Sequence, residues 1–160
     1  MTDEIAAYFA ELQRAFDKLC AAIEGLDAAT LNWKPPVPEA NSVYVIATHL
    51  LGNAEAWVLG IACGQPIKRD RAAEFAASGD DAAALAERAR DLLQRIEAAL
   101  AALPDEALGQ LRPSPQQLWG AGSAEPVTTR EALLHVVQHA NTHLGHIDVT
   151  RDLALAAAKA

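Results

Sequence analysis

The chain has 160 residues, 51% hydrophobic and 21% charged, which is material for a single domain with its own core spanning residues 1–160. Its net charge of −8 and pI of about 5.0 exclude the basic surface that a nucleic-acid partner or an anionic membrane requires. Aromatics are only 5%, and alanine and leucine carry the apolar side, which favours helix over strand.

The two cysteines, Cys20 and Cys63, form no CxxC pair, and a reducing, cytoplasmic setting follows. The acidic, amphipathic start MTDEIAAYFAEL does not read as a secretory signal. In residues 3–26, Ile5, Phe9, Leu12, Phe16, Leu19, Ile23 and Leu26 recur at steps of three and four, predicting a first long helix that ends near Gly25 and Asp27. The proline-rich stretch LNWKPPVPEAN follows and cannot be helical throughout. Asn41 or Ser42 then caps a second helix that runs to about Cys63, before Gly64 and Pro66. Within it, VIATHLLGNAEAWVLGIACG has the length of a membrane span, but His49, Asn53 and Glu55 interrupt it, so a buried bundle helix is expected.

The segment KRDRAAEFAASGDD is mixed, with a short helical turn expected around Ala72–Ala76 and the charged RDRAAEF expected to face a dimer partner or, by default, water. A third helix starts near Asp80 or Asp81, runs through Leu85, Ala89, Leu92, Ile96 and Leu100 to about Leu103, and is closed by Pro104. A long connection, 104–127, carries four prolines, three glycines and Trp119. Thr128 and Glu131, three apart, are a capping box that opens a fourth helix to about residue 157, and the alanine-rich tail LALAAAKA is expected to fray. No alternating run is long enough for a strand. Four helices, with links of about 15 and 24 residues before the second and the fourth, predict an all-α four-helix bundle.

The fourth helix contains HVVQHANTHLGH, which holds four of the five histidines. At about 100° per residue, His139, His143 and His146 fall near 40°, 80° and 20° from His135, so the four share one sector. Val136, Val137, Ala140, Leu144 and Ile147 centre about 100° away, which places the stripe beside the core face, turned toward a cleft. Histidines at i and i+4 project over one turn and suit one metal ion, but two ligands do not complete a site. His49, on the flank of the second helix with Leu50, Asn53 and Trp57, is the candidate third ligand. Three neutral imidazoles leave coordination positions open, the layout of a catalytic site, and suit zinc, nickel and similar ions.

These stretches resemble the DinB/YfiT-like superfamily of metal-dependent enzymes. NSVYVIATHLLGNAEAW matches its second helix with a single histidine, and TTREALLHVVQHANTHLGHI matches its fourth helix with an HxxxH pair. LNWKPP resembles the approach to its second helix. The resemblance implies His49, His139 and His143 as the metal ligands, with His135 one turn ahead and outside the triad. It also implies an up-down-down-up bundle, a homodimer, bound nickel or zinc, and chemistry such as thiol-dependent transfer or hydrolysis of a small molecule with a low-molecular-weight thiol cosubstrate. Leu144 and His146 stand where relatives commonly have arginine and glutamine, while Gly145 matches.

On the enzyme reading, Asn53, Trp57, His146 and Thr150 are candidates to orient a ligand or substrate, or to wall the pocket. Two other classes stand beside it: a bundle that binds a metal or small ligand without turnover, and a dimeric structural bundle with relic histidines. No GxSxG, GxGxxG or Walker sequence supports a serine hydrolase or a nucleotide-binding protein.

Overall fold

The computed structural model describes residues 1–159, apart from the side chain of Asp105. Ala160, the end of the tail expected to fray, lies outside the described residues. The architecture is all-α, built from four long helical segments joined by short ones. Each long helix begins at a side chain that satisfies an otherwise orphaned backbone donor. Thr2 accepts from the Ile5 N–H at the start of α1 (Asp3–Ile23). A short α2 (Ala28–Asn32) follows, capped by Asp27, in the stretch whose prolines forbid a longer helix.

Ser42, not Asn41, caps α3 (Val43–Ala54) by accepting from the Val45 N–H. Asp81 caps α5 (Ala82–Ala101), which follows the short α4 (Arg71–Phe75). After α6 (Gln116–Trp119), α7 (Thr129–Ala157) opens with the expected capping box. Thr128 Oγ1 accepts from the Glu131 N–H, and Glu131 Oε2 accepts from the Thr128 N–H at 2.7 Å.

The second predicted helix does not stay α-helical to its end. From Glu55 to Ala62 it is a π-helix, with the Cys63 N–H donating to Val58 O, five residues back, at 2.9 Å. A 3.6-residue apolar pattern does not distinguish the two geometries over eight residues, and π-turns gather at functional sites. The combined segment Val43–Ala62 is long and apolar enough to cross a membrane by composition, but 94% of its most apolar 18-residue stretch is buried inside the protein. α7 packs on α1, on α3 and on the π segment, while α5 packs on α1. Ile5, Leu12, Phe16, Leu19 and Ile23 of α1 and Ile96 and Leu100 of α5 are fully buried, each such side chain stabilising the fold by about 1.5–3 kcal/mol relative to exposure.

The connection from 104 to 127 is more ordered than its composition predicts. It carries a 3₁₀ turn (Asp105–Gly109), α6, and β1 (Leu111–Arg112) paired antiparallel with β2 (Val127–Thr128), Leu111 opposite Thr128. Two-residue strands leave no alternation to detect, so the sequence reading found no strand. The pair fixes the loop to the start of α7, where the Thr129 N–H donates to Gln110 O and Arg112 Nε donates to Thr129 Oγ1. Trp119 is thereby held over the π segment.

Candidate metal centre

α3 and α7 lie side by side, and the steps of four along α7 turn His139 and His143 toward His49 on α3. One nitrogen from each of these three histidines lies within 4.8 Å of the others. His49 is buried, and the other two are half-buried. The His139 and His143 rings are 4.3 Å apart, and His49 meets both edge-on.

His49 is oriented from behind. Its Nδ1 faces Glu74 Oε2 at 2.7 Å, and with Glu74 ionised that nitrogen carries the proton and donates it. Arg69 holds the same carboxylate in a two-pronged pair, Nε to Oε1 at 2.7 Å and Nη2 to Oε2 at 2.9 Å. Its Nη1 donates to the Leu118 carbonyl at 3.0 Å. Burial pushes the Glu74 carboxyl up, but the hydrogen bonds from His49 and Arg69 and the guanidinium charge outweigh it and leave the carboxyl below its usual value. The side chains of Arg69 and Glu74 are 3% and 8% exposed, so the expectation that RDRAAEF faces water is corrected for these two, while Asp70, Arg71, Ala72 and Ala73 are exposed as expected. Burial of an ionic pair requires full pairing, and here each charge finds it in the other.

The proton on His49 Nδ1 leaves its Nε2 lone pair pointing at His139 Nε2, 3.2 Å away. Two imidazole nitrogens facing at that distance need a proton or a shared cation between them. If His139 supplies the proton from Nε2, its Nδ1 becomes a bare acceptor, and that buried atom has no hydrogen-bond partner among the described residues. A metal ion removes the conflict. Two metal–imidazole bonds of about 2.0–2.1 Å at a tetrahedral angle place their nitrogens about 3.3 Å apart, close to the separation seen. The donor set therefore fits a divalent cation.

His139 and His143 are also kept neutral. Burial, then the neighbouring histidines and Arg69, pushes His139 down to about 2. Burial, His49 and His146 push His143 down to about 4.

The triad borders a cavity of about 470 Å³, one wall of which is aromatic. Trp57 stacks on His135 at 3.7 Å and meets Trp119 at 5.0 Å. Trp57 thus both lines the cavity and belongs to the core, at 4% exposed. Asn53 also lines it, its Nδ2 facing His135 Nε2 at 3.5 Å. His135 lies in the cavity wall, outside the close cluster of three, and burial followed by the Arg69 charge lowers its pKa. His146 is exposed, with Nδ1 at 3.3 Å from His143 Nδ1. Thr150 is buried farther along α7 and is not among the residues that line the cavity.

Sequence reasoning missed Glu74, Arg69 and the glycine that admits them. A Cβ on Gly52, one turn past His49, would lie 2.7 Å from the Glu74 carboxyl carbon. An isolated glycine inside an apolar helix is the signal that could have marked this close approach.

Residues 11–147 match the family model of the DinB superfamily. The chain belongs to that superfamily. Among solved structures it is similar to a DinB-like protein from Bacillus cereus, at 15% identity over 92% of this chain and 90% of that one, with a TM-score of 0.71. A conserved protein from Enterococcus faecalis gives 16% identity, 98% and 99% coverage, and a TM-score of 0.67. The DinB-like protein YjoA from Bacillus subtilis gives 19%, 94% and 92%, and 0.63. At these identities the likeness is one of fold. No curated protein matches the chain.

Proposed function

We propose that the chain is a metal-dependent enzyme in which His49, His139 and His143 hold one divalent ion, nickel or zinc, and the adjoining cavity takes a small-molecule substrate. The observation that carries this reading is the facing pair of His49 and His139 nitrogens at 3.2 Å, with His49 fixed from behind by a buried carboxylate. Carboxylate–histidine pairs of this kind orient metal ligands and raise their basicity. The bound ion supplies Lewis acidity, which makes a water or a thiol nucleophilic near neutral pH.

The chain's own residues do the rest. Glu74 and Arg69 set the ring plane and tautomer of His49. Burial keeps His139 and His143 unprotonated, so protons compete poorly for the site. Trp57 and Trp119 exclude water from one side, and His135 with Asn53 presents polar atoms to whatever occupies the cavity. Thiol-dependent transfer with a low-molecular-weight thiol cosubstrate, or hydrolysis, suits an open three-histidine site. His146 and Thr150 then act from outside the cavity wall, on His143 and on the packing of α7.

The same proposal places the protein in the cytoplasm as one domain over residues 1–160 and as a homodimer. Leu134, Val149 and Leu153, 50%, 61% and 47% exposed on α7, offer apolar surface to a second copy.

Elemental analysis of tag-free protein tests the central claim. About one nickel or zinc per chain, lost in His143→Ala, is the expected result. No metal after incubation with either ion would overturn it.

A further inference from the structure

We propose that Arg71 recognises an anionic group, and hence that the small molecule taken by the cavity carries a carboxylate or a similar anion. This inference rests on the metal-dependent reading of the same cavity. Three charged side chains line that cavity: Arg69, Arg71 and Glu131. Two are already engaged. Arg69 is bound to Glu74, and the Glu131 carboxylate accepts from both the N–H and the hydroxyl of Thr128.

Arg71 has no carboxylate partner among the described residues. Glu39, which borders the neighbouring depression with it, makes no ion pair with it. Other cations of the chain also lack an ion pair, but among the charged side chains that line this cavity Arg71 is the one left unengaged.

Arg71 is exposed, and its side chain rests against an aromatic ring. Its guanidinium carbon sits 4.7 Å over the Phe75 ring, whose centre is 4.7 Å from that of His49. The guanidinium therefore lies within twice that distance of a proposed metal ligand, a few bonds' reach for a small molecule. Gly120, at φ 105°, also lies beside Arg71, where a Cβ would stand 3.6 Å from Nε. A planar guanidinium suits bidentate binding of a carboxylate. The tryptophan wall opposite suits an apolar or aromatic body on the same molecule.

The test compares benzoate with benzyl alcohol by tryptophan fluorescence titration of the metal-free protein, with wild type, Arg71→Gln and Arg71→Lys. The wild type should bind benzoate at least about tenfold more tightly than the alcohol. Arg71→Gln should lose that preference without weakening the alcohol, and Arg71→Lys should keep part of it. A parallel arm titrates nickel-loaded protein with 3-mercaptopropionate and 2-mercaptoethanol. A preference confined to the thiol pair assigns the anion to a thiol cosubstrate, and one seen with benzoate assigns it to the other substrate. Equal binding of charged and neutral probes in both arms, or a preference that survives Arg71→Gln, would overturn the proposal. Elemental analysis of the same samples reads the metal site separately, so an absent metal with an intact benzoate preference sinks only the metal reading.

Discussion

Glu74 accepts a hydrogen bond from His49 Nδ1 across 2.7 Å, joining two buried residues 25 positions apart in the chain. The carboxylate reaches the ring because Gly52 leaves a gap on α3 where any other side chain would collide with it. Glu74 cannot simply swing aside, since Arg69 pins both of its oxygens. Gly52→Ala should therefore weaken metal binding by about 10–100-fold, the usual effect of losing such a partner, although it alters no ligand. Competition with a chromogenic chelator measures it. Wild-type affinity in Gly52→Ala would show that Glu74 does not tune the site.

Replacing the carboxylate itself tests stability as well. Glu74→Ala leaves Arg69 buried and unpaired, and breaking a buried pair in this way costs about 3–5 kcal/mol. Chemical denaturation of the metal-free protein should show the loss. A cost below about 1 kcal/mol would mean that Arg69 finds solvent or another acceptor.

The histidines divide into two groups. His139→Ala and His143→Ala should each abolish stoichiometric metal, whereas His135→Ala and His146→Ala should retain it, because those two stand outside the cluster of three. Metal-to-protein ratios for the four variants decide the matter. Retention in His139→Ala would remove the facing nitrogen pair as the centre of the site.

Acid should destabilise the metal-free protein in a defined window. His139 and His143 are pushed down to about 2 and about 4 by burial and neighbouring positive groups, whereas in the unfolded chain they take protons near 6.5. The unfolded state thus binds more protons below pH 6.5, so the stability present above that value is lost as pH falls. Each fully depressed histidine contributes at most about 1.4 kcal/mol per pH unit, less here because both rings are partly exposed. Between pH 6.5 and 4.5 the histidines act alone, and below 4.5 Glu74, whose pKa is also lowered, adds a loss of the same sign. Thermal melts across this range should slope accordingly, and His139→Ala should flatten the slope. A flat profile in the wild type would contradict it.

Much of this was legible in the sequence because it is periodic. Apolar residues at steps of three and four placed α1, α5 and α7 to within a few residues, and the Thr128–Glu131 spacing marked the start of α7. The histidine stripe turns toward His49 for the same reason. What the sequence hid depends on contacts between distant segments. Arg69 and Glu74 sit in and beside a five-residue helix too short to show a face, and a charged stretch read alone gives no sign that its charges satisfy each other in the interior. The π geometry of Glu55–Ala62 was equally hidden, since its apolar residues fit either winding.

Arg69 also donates to the carbonyl of Leu118, the residue before Trp119. The guanidinium that aligns His49 through Glu74 is thus a tether for the loop that forms the far side of the cavity. One side chain ties the support of His49 on α3 to the loop that carries Trp119, two parts of the cavity wall that are far apart in the chain.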